Sequence, residues 1–165
     1  GFFFEYRFDR RVRLPYWSLS AYWMLWAGAA TEDQAARLVS WLPRFEQKGG
    51  LSQTDVAYPS PHPEFAWVQW GHPAGWPPMQ MAVVEGLTAY GFTDEARRIA
   101  AKYATMQVNV HARTGKFWEK YNVVTQSEDL PRERTPNVPL RGWSAAAFVW
   151  LGHAAFRPDL MGAAQ

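Results

Sequence analysis

At 165 residues, 48% of them hydrophobic and 19% charged, the chain is long enough to bury a core unaided and too apolar for a disordered tail. A net charge of +2 with no Lys/Arg run argues against nucleic acid as a partner, and Arg10, Arg11 and Arg13 are too interrupted to change that. The absence of cysteine excludes disulfides and thiolate chemistry and suits cytoplasm or periplasm, leaving the compartment open, while no apolar run reaches membrane-spanning length.

The first residues, Gly1-Phe2-Phe3-Phe4-Glu5-Tyr6-Arg7, carry neither a signal-peptide pattern nor an initiator Met, so the expectation is a chain that begins inside a longer protein. Tyr16 to Ala30 is apolar almost all round and predicts a helix buried between others, with Trp23 and Trp26 in the core. Thr31 and Gln34 form a T-x-x-Q capping box. The helix behind it shows Ala35, Leu38, Val39, Leu42 and Phe45 on one face and is expected to run to a left-handed exit at Gly49-Gly50.

From Leu51 to Trp76 the prolines at 59, 61, 63 and 73 predict a long loop. Its Phe65, Trp67, Trp70 and Trp76 favour a functional loop over a disordered one. Pro77-Pro78 opens a helix that carries Met81, Val84, Leu87 and Tyr90 to a stop at Gly91, with Gly86 expected at a close helix contact. Thr93, followed by Asp94 and Glu95, is expected to cap the next helix, whose inward face is Ala96, Ile99, Ala100, Tyr103 and Ala104. After a turn at Thr114-Gly115, Phe117 to Val123 is predicted extended, Thr125 to Pro139 loop, and Gly142 to Phe156 the last helix. Five or six helices, paired by short turns on one side and long aromatic loops on the other, predict an all-α fold. The expected architecture is a single domain over 1–165, part of a helical toroid with its site at one rim.

Ten Trp, seven Tyr and ten Phe suit a sugar-binding cleft, because indole faces stack on pyranose rings while the N–H stays available to a hydroxyl. Three segments are more specific. They are Gly49-Gly50-Leu51; Gln69-Trp70-Gly71-His72-Pro73-Ala74-Gly75-Trp76-Pro77-Pro78-Met79-Gln80; and Glu119-Lys120-Tyr121-Asn122-Val123 with Gly142-Trp143-Ser144 further on. Together, and with Phe4-Glu5-Tyr6, they resemble the trehalase family of glycoside hydrolases in order and spacing over nearly the whole chain. The second segment looks like the family's Q-W-D-x-P-N-G-W-A-P-x-Q, and the third like its E-K-Y-D-V and later G-W-T/S. Gly71 stands where that signature has Asp, Ala74 where it has Asn, and Gln53-Thr54-Asp55 replaces a Pro-Thr-Ser. These departures put trehalose itself in question as the substrate.

The resemblance implies an (α/α)6 barrel, of which this chain is a C-terminal portion, and inverting hydrolysis of an α-glucoside, a disaccharide or oligosaccharide. It implies Glu119 as the general base, Gln69, Trp70, Trp76, Tyr121, Trp143 and His72 as sugar contacts, and a general acid lying further upstream than this chain extends. The missing N-terminal half of the barrel would then be the natural partner, and the isolated chain would be inactive. Inversion needs two carboxyls on opposite faces of the sugar, one to protonate the leaving oxygen and one to deprotonate water. The residues alone also allow Glu119 to be a surface carboxylate paired with Lys120. Among possible internal acids, Asp55, Glu64, Glu85, Glu128 and Glu133, only Glu85 is expected among apolar neighbours. His62, His72, His111 and His153 lack ligand spacing, so neither metal nor cofactor is expected. The alternative reading is a truncated half-barrel that binds sugar or a partner chain without hydrolysis.

Overall fold

The computed structural model describes residues 1–65, 68–131 and 135–157; Trp67 and Glu133 therefore lie outside the described residues. Helices dominate. They are α1 (Trp23–Trp26), α2 (Glu32–Ser40), α3 (Pro77–Ala89), α4 (Thr93–Thr114) and α5 (Gly142–Phe156). The strands are two-residue pairs: β1 (Tyr6–Arg7) with β2 (Val12–Arg13), β3 (Glu46–Gln47) with β4 (Gly50–Leu51), and β5 (Ala74–Gly75) with β6 (Tyr121–Asn122), all antiparallel.

Helix α3 is the hub. It packs against α1, α4 and α5, and α4 packs along α5. Its burial is nearly all round, with Met79, Gln80, Ala82, Val83, Val84, Gly86 and Leu87 inside. Proline in its first turn needs no amide partner, which is why Pro77-Pro78 starts it cleanly. Gly86 meets α1 as expected: a Cβ there would sit 2.8 Å from both Leu25 Cβ and the Trp26 amide. Helix α4 is amphipathic, burying the expected Ala96, Ile99, Ala100, Tyr103 and Ala104 and, further on, Met106, Gln107 and Val110. It ends at Gly115 in the left-handed conformation (φ 69°). The bounds of α5 match the expected ones.

Four local expectations need correction. The segment 16–30 is not one helix; it is a 3-10 turn (Leu19–Tyr22) leading into α1. Its first part is drawn elsewhere, because Ser18 bridges Thr54 and the Leu19 amide donates to Gln53 O at 2.9 Å. Gly28, at φ 63°, ends it. Trp23 and Trp26 are consequently not core residues. They are 40% and 51% exposed, set edge to face 5.2 Å apart, and Trp26 Nε1 donates to Glu85.

Helix α2 has the expected capping box, but it stops at Ser40 and a 3-10 turn (Leu42–Arg44) follows. Gly49-Gly50 is therefore part of the β3–β4 hairpin and not a helix exit. Gly50 takes φ 123°, and a Cβ on it would lie 2.8 Å from the Tyr103 ring, so α4 packs directly on this backbone. Thr93 is the first residue of α4, preceded by Phe92 as cap; Asp94 and Glu95 still complement the helix dipole. Lastly, the chain from Phe117 to Val123 is extended only at its ends, with a bend at Glu119 and Lys120.

Candidate functional site

The long loop returns to the helices through β5, which pairs Ala74 with Asn122 and Gly75 with Tyr121. The Gln53 amide donates to Ala74 O and the Val123 amide to Pro73 O, so distant stretches of the chain lie side by side, and the Tyr103 hydroxyl of α4 donates to Gly75 O beneath them. Into this floor the Glu119 segment is tied at almost every backbone group. The Trp118 amide donates to the Tyr121 hydroxyl (3.0 Å), and Ser144 Oγ donates to Trp118 O. The Glu119 amide donates to Val138 O, and Trp143 Nε1 donates to Glu119 O at 2.9 Å. Asn137 brackets Lys120, accepting from its amide and donating to its carbonyl. Such cross-bracing holds a side chain at a fixed aim, which catalytic groups require.

The Glu119 side chain is 22% exposed, and its Oε2 lies 3.2 Å from Lys120 Nζ. Lys120 itself is fully buried, its ammonium 4.8 Å from the centre of the Trp76 ring. Trp70 stacks on Trp76 at 3.9 Å with only 4° between planes, and Trp143 meets Trp76 edge to face at 5.9 Å. Trp70, Trp76, Lys120 and Glu119 thus form one connected chain of contacts from an exposed ring through the interior to a carboxylate near the surface. The residues alone allowed a surface ion pair here; the carboxylate is near the surface, but its partner is in the core.

The candidate sugar contacts divide. Trp70 is 41% exposed and offers a ring surface. Gln69 is half-buried, and its Nε2 donates to Thr135 Oγ1, joining the two rim loops. Half-buried His72 donates its amide to Thr54 Oγ1, while its Nδ1 is buried with no partner among the described residues. Burial lowers the His72 pKa, with Asp55 opposing, which favours the neutral imidazole at neutral pH.

Trp76 and Tyr121 lie deeper than the other candidate contacts. Trp76 is 2% exposed and Tyr121 is fully buried, so neither presents a face to solvent; Trp70, Trp143 and Lys120 surround Trp76, and Tyr103 of α4 meets Tyr121 edge to face. The Tyr121 phenol is raised above its ordinary pKa by burial, partly offset by the Trp118 amide. Trp143 is half-buried with its indole N–H already used on Glu119 O, so its place is behind the carboxylate.

Among the described residues, the acids of the expected set are engaged elsewhere or exposed. Asp55 is sunk in an ion pair with Arg44 (2.6 Å) and accepts from the Tyr58 hydroxyl at 3.0 Å. Glu128 pairs with Arg113, and Glu64 is exposed in the loop. Glu85 lies on an exposed face of α3 holding Trp26, not among apolar neighbours. A cavity of about 480 Å³ lies behind the segment, lined by Trp118, Glu128, Leu130 and Asn137, and contains none of the candidate sugar contacts. Among the described residues no three His, Asp or Glu side chains converge as a metal site, and no helix is long and apolar enough to cross a membrane. Sequence reading missed Asn137 and the depth of Lys120. No periodicity marks Asn137, and the only signal for Lys120 is its place in the E-K-Y motif.

Similarity to known proteins points the same way as this geometry. The Trehalase family model matches residues 1–147. The cytosolic neutral trehalase of Beauveria bassiana is 37% identical over 144 residues, covering 83% of this chain and 18% of that protein. The cytosolic neutral trehalase of Saccharomyces cerevisiae is 33% identical over 139 residues, with the same coverage. In three dimensions, neutral trehalase Nth1 from Saccharomyces cerevisiae superposes with a TM-score of 0.75 at 30% identity, covering 98% of this chain and 28% of that one. A GH63 mannosylglycerate hydrolase from Thermus thermophilus shares the fold, with a TM-score of 0.69 at 22% identity over 91% of this chain and 33% of that one. The chain spans about a fifth of the length of the curated relatives it matches. Its paired helices are a portion of the (α/α)6 toroid of those neighbours, and with the family model matching almost from end to end, the chain belongs to the trehalase family.

Proposed function

We propose that residues 1–165 are the C-terminal portion of an inverting α-glycosidase, and that they supply its general base, Glu119, and part of its sugar pocket. Trehalose or a related α-glucoside is the substrate. The observation that carries this reading is a carboxylate at the rim, braced through its own backbone and backed by a stack that ends in the exposed ring of Trp70. Only one carboxylate oxygen is engaged by Lys120, which leaves Oε1 for a water molecule.

In the mechanism, Glu119 takes a proton from a water as that water attacks the anomeric carbon, while an acid from the upstream half protonates the leaving oxygen. Trp70 carries the sugar ring, with Gln69 and His72 beside it as hydroxyl partners. Trp76, Tyr121 and Trp143 act from beneath by fixing Trp70 and Glu119.

The test is Glu119→Gln in the full-length parent, assayed on trehalose with and without azide. Loss of kcat, with azide giving a glycosyl azide of inverted configuration, is the expected result. Near-parental kcat, or product of retained configuration, refutes the assignment. The isolated chain should turn over no trehalose because it lacks the acid; turnover that Glu119→Gln abolishes would place the acid inside these 165 residues.

A further inference from the structure

Lys120 is the cation of the rim stack, and stability gives little reason for it. A fully buried ammonium loses its hydration, and an ion pair at depth is often no better than two well-packed apolar groups. Methionine in the same space would pack without that cost. What an ammonium does, and a methionine does not, is grip a carboxylate. Lys120 Nζ lies 3.2 Å from Glu119 Oε2 and 4.8 Å from the centre of the Trp76 ring. The π-face of an indole attracts a cation, so Trp76 fixes where the ammonium sits. The bend at Glu119 and Lys120 is what lets two adjacent side chains meet, and Asn137 holds both the amide and the carbonyl of Lys120.

We infer that Lys120 is a positioning residue for the proposed base: its buried ammonium, seated against Trp76, fixes the rotamer of Glu119, so that Oε1 is aimed at the attacking water. This rests on the assignment of Glu119 as the base. It also makes Trp76 part of the machinery through the cation it seats, since its ring is flanked by Trp70 and Lys120.

The test is a double-mutant cycle in the full-length parent acting on trehalose, with thermal melts of each variant. Lys120→Met is expected to lower kcat about 10²-fold, the size of loss that follows from misplacing a reacting group by about an ångström. KM should stay within about twofold, because the contact is made to the base and not to the sugar. In a Glu119→Gln background Lys120→Met should cost nothing further, since there is no carboxylate left to position. If Lys120→Met fails to melt cooperatively, Lys120→Gln, which keeps a donor without the charge, takes its place under the same criteria. Near-parental kcat for the lysine variant beside a collapsed Glu119→Gln overturns this inference and leaves the base standing. Losses that multiply in the double variant also overturn it, by showing that the lysine acts through general structure. Near-parental kcat for Glu119→Gln removes the base assignment, and this inference with it.

Discussion

Among the described residues, two places set a cation over a tryptophan and beside a carboxylate. Near the N-terminus, Arg44 lies 4.3 Å over Trp17 and pairs with Asp55 at 2.6 Å. At the rim, Lys120 lies over Trp76 and pairs with Glu119. The burial is inverted between them. Asp55 is the sunken partner, taking further hydrogen bonds from Tyr58 and the Val56 amide, while Arg44 is open to solvent. At the rim the cation is sunken and the carboxylate emerges. Each arrangement follows from its surroundings: Trp17 belongs to a packed cluster with Phe2, Phe4 and Trp41, whereas Trp76 leads outward to Trp70. The same three residue types make an anchor when the acid is saturated with donors, and a reactive group when only one of its oxygens is held.

The comparison breaks most sharply in kinetics. Glu119→Gln in the full-length parent should lower kcat by about 10²–10⁴, the usual worth of a general base, with KM nearly unchanged. Asp55→Asn should leave kcat within about threefold and show its effect in folding, so parallel kinetics and melts of the two variants separate the roles. A kcat loss in Asp55→Asn comparable to that in Glu119→Gln would erase the distinction.

Packing comes next. Trp76→Ala and Phe45→Ala each remove a buried ring and should cost about 3–5 kcal/mol by urea unfolding. Only Trp76→Ala should also lower kcat once the temperature is set to keep both variants folded. Asp55→Asn should cost less, about 1–3 kcal/mol, because it loses the charged hydrogen bond to Arg44 without opening a cavity.

Trp70→Ala should raise KM by up to about tenfold, the scale of one aromatic contact, and cost about 0.5–1.5 kcal/mol of stability through the lost stack on Trp76. The smallest effect lies away from both clusters. Burial tends to raise the Glu46 pKa, but hydrogen bonds from Arg98 and Lys102 outweigh it and hold the carboxyl below its ordinary value. A depressed carboxylate contributes stability above its unfolded pKa and loses it as pH falls through the folded one. Urea midpoints should therefore decline below about pH 4, and Glu46→Gln should flatten part of that decline.

Several features were legible because the forces that make them act within a few residues. Thr31 and Gln34 cap α2 from the sequence positions that define a capping box, Pro77-Pro78 opens α3, and Gly115 closes α4. The motifs around Trp70 and Glu119 likewise carried the family, which the Trehalase model matches over residues 1–147. What the tertiary structure alone decided was which side of each residue is wet. Tyr16 to Ala30 reads as a helix, yet Ser18 and Leu19 bond to a distant loop at Gln53 and Thr54, and that exchange cannot be seen in local periodicity. Trp26 and Trp76 read alike as indoles in apolar company, but Trp70, Trp143 and Lys120 close over Trp76 while Trp26 stays 51% exposed. Lys120 sits next to a carboxylate in any reading. Its depth follows from the approach of Trp76 and Asn137, contacts set by long-range packing whose partners no single stretch of sequence contains.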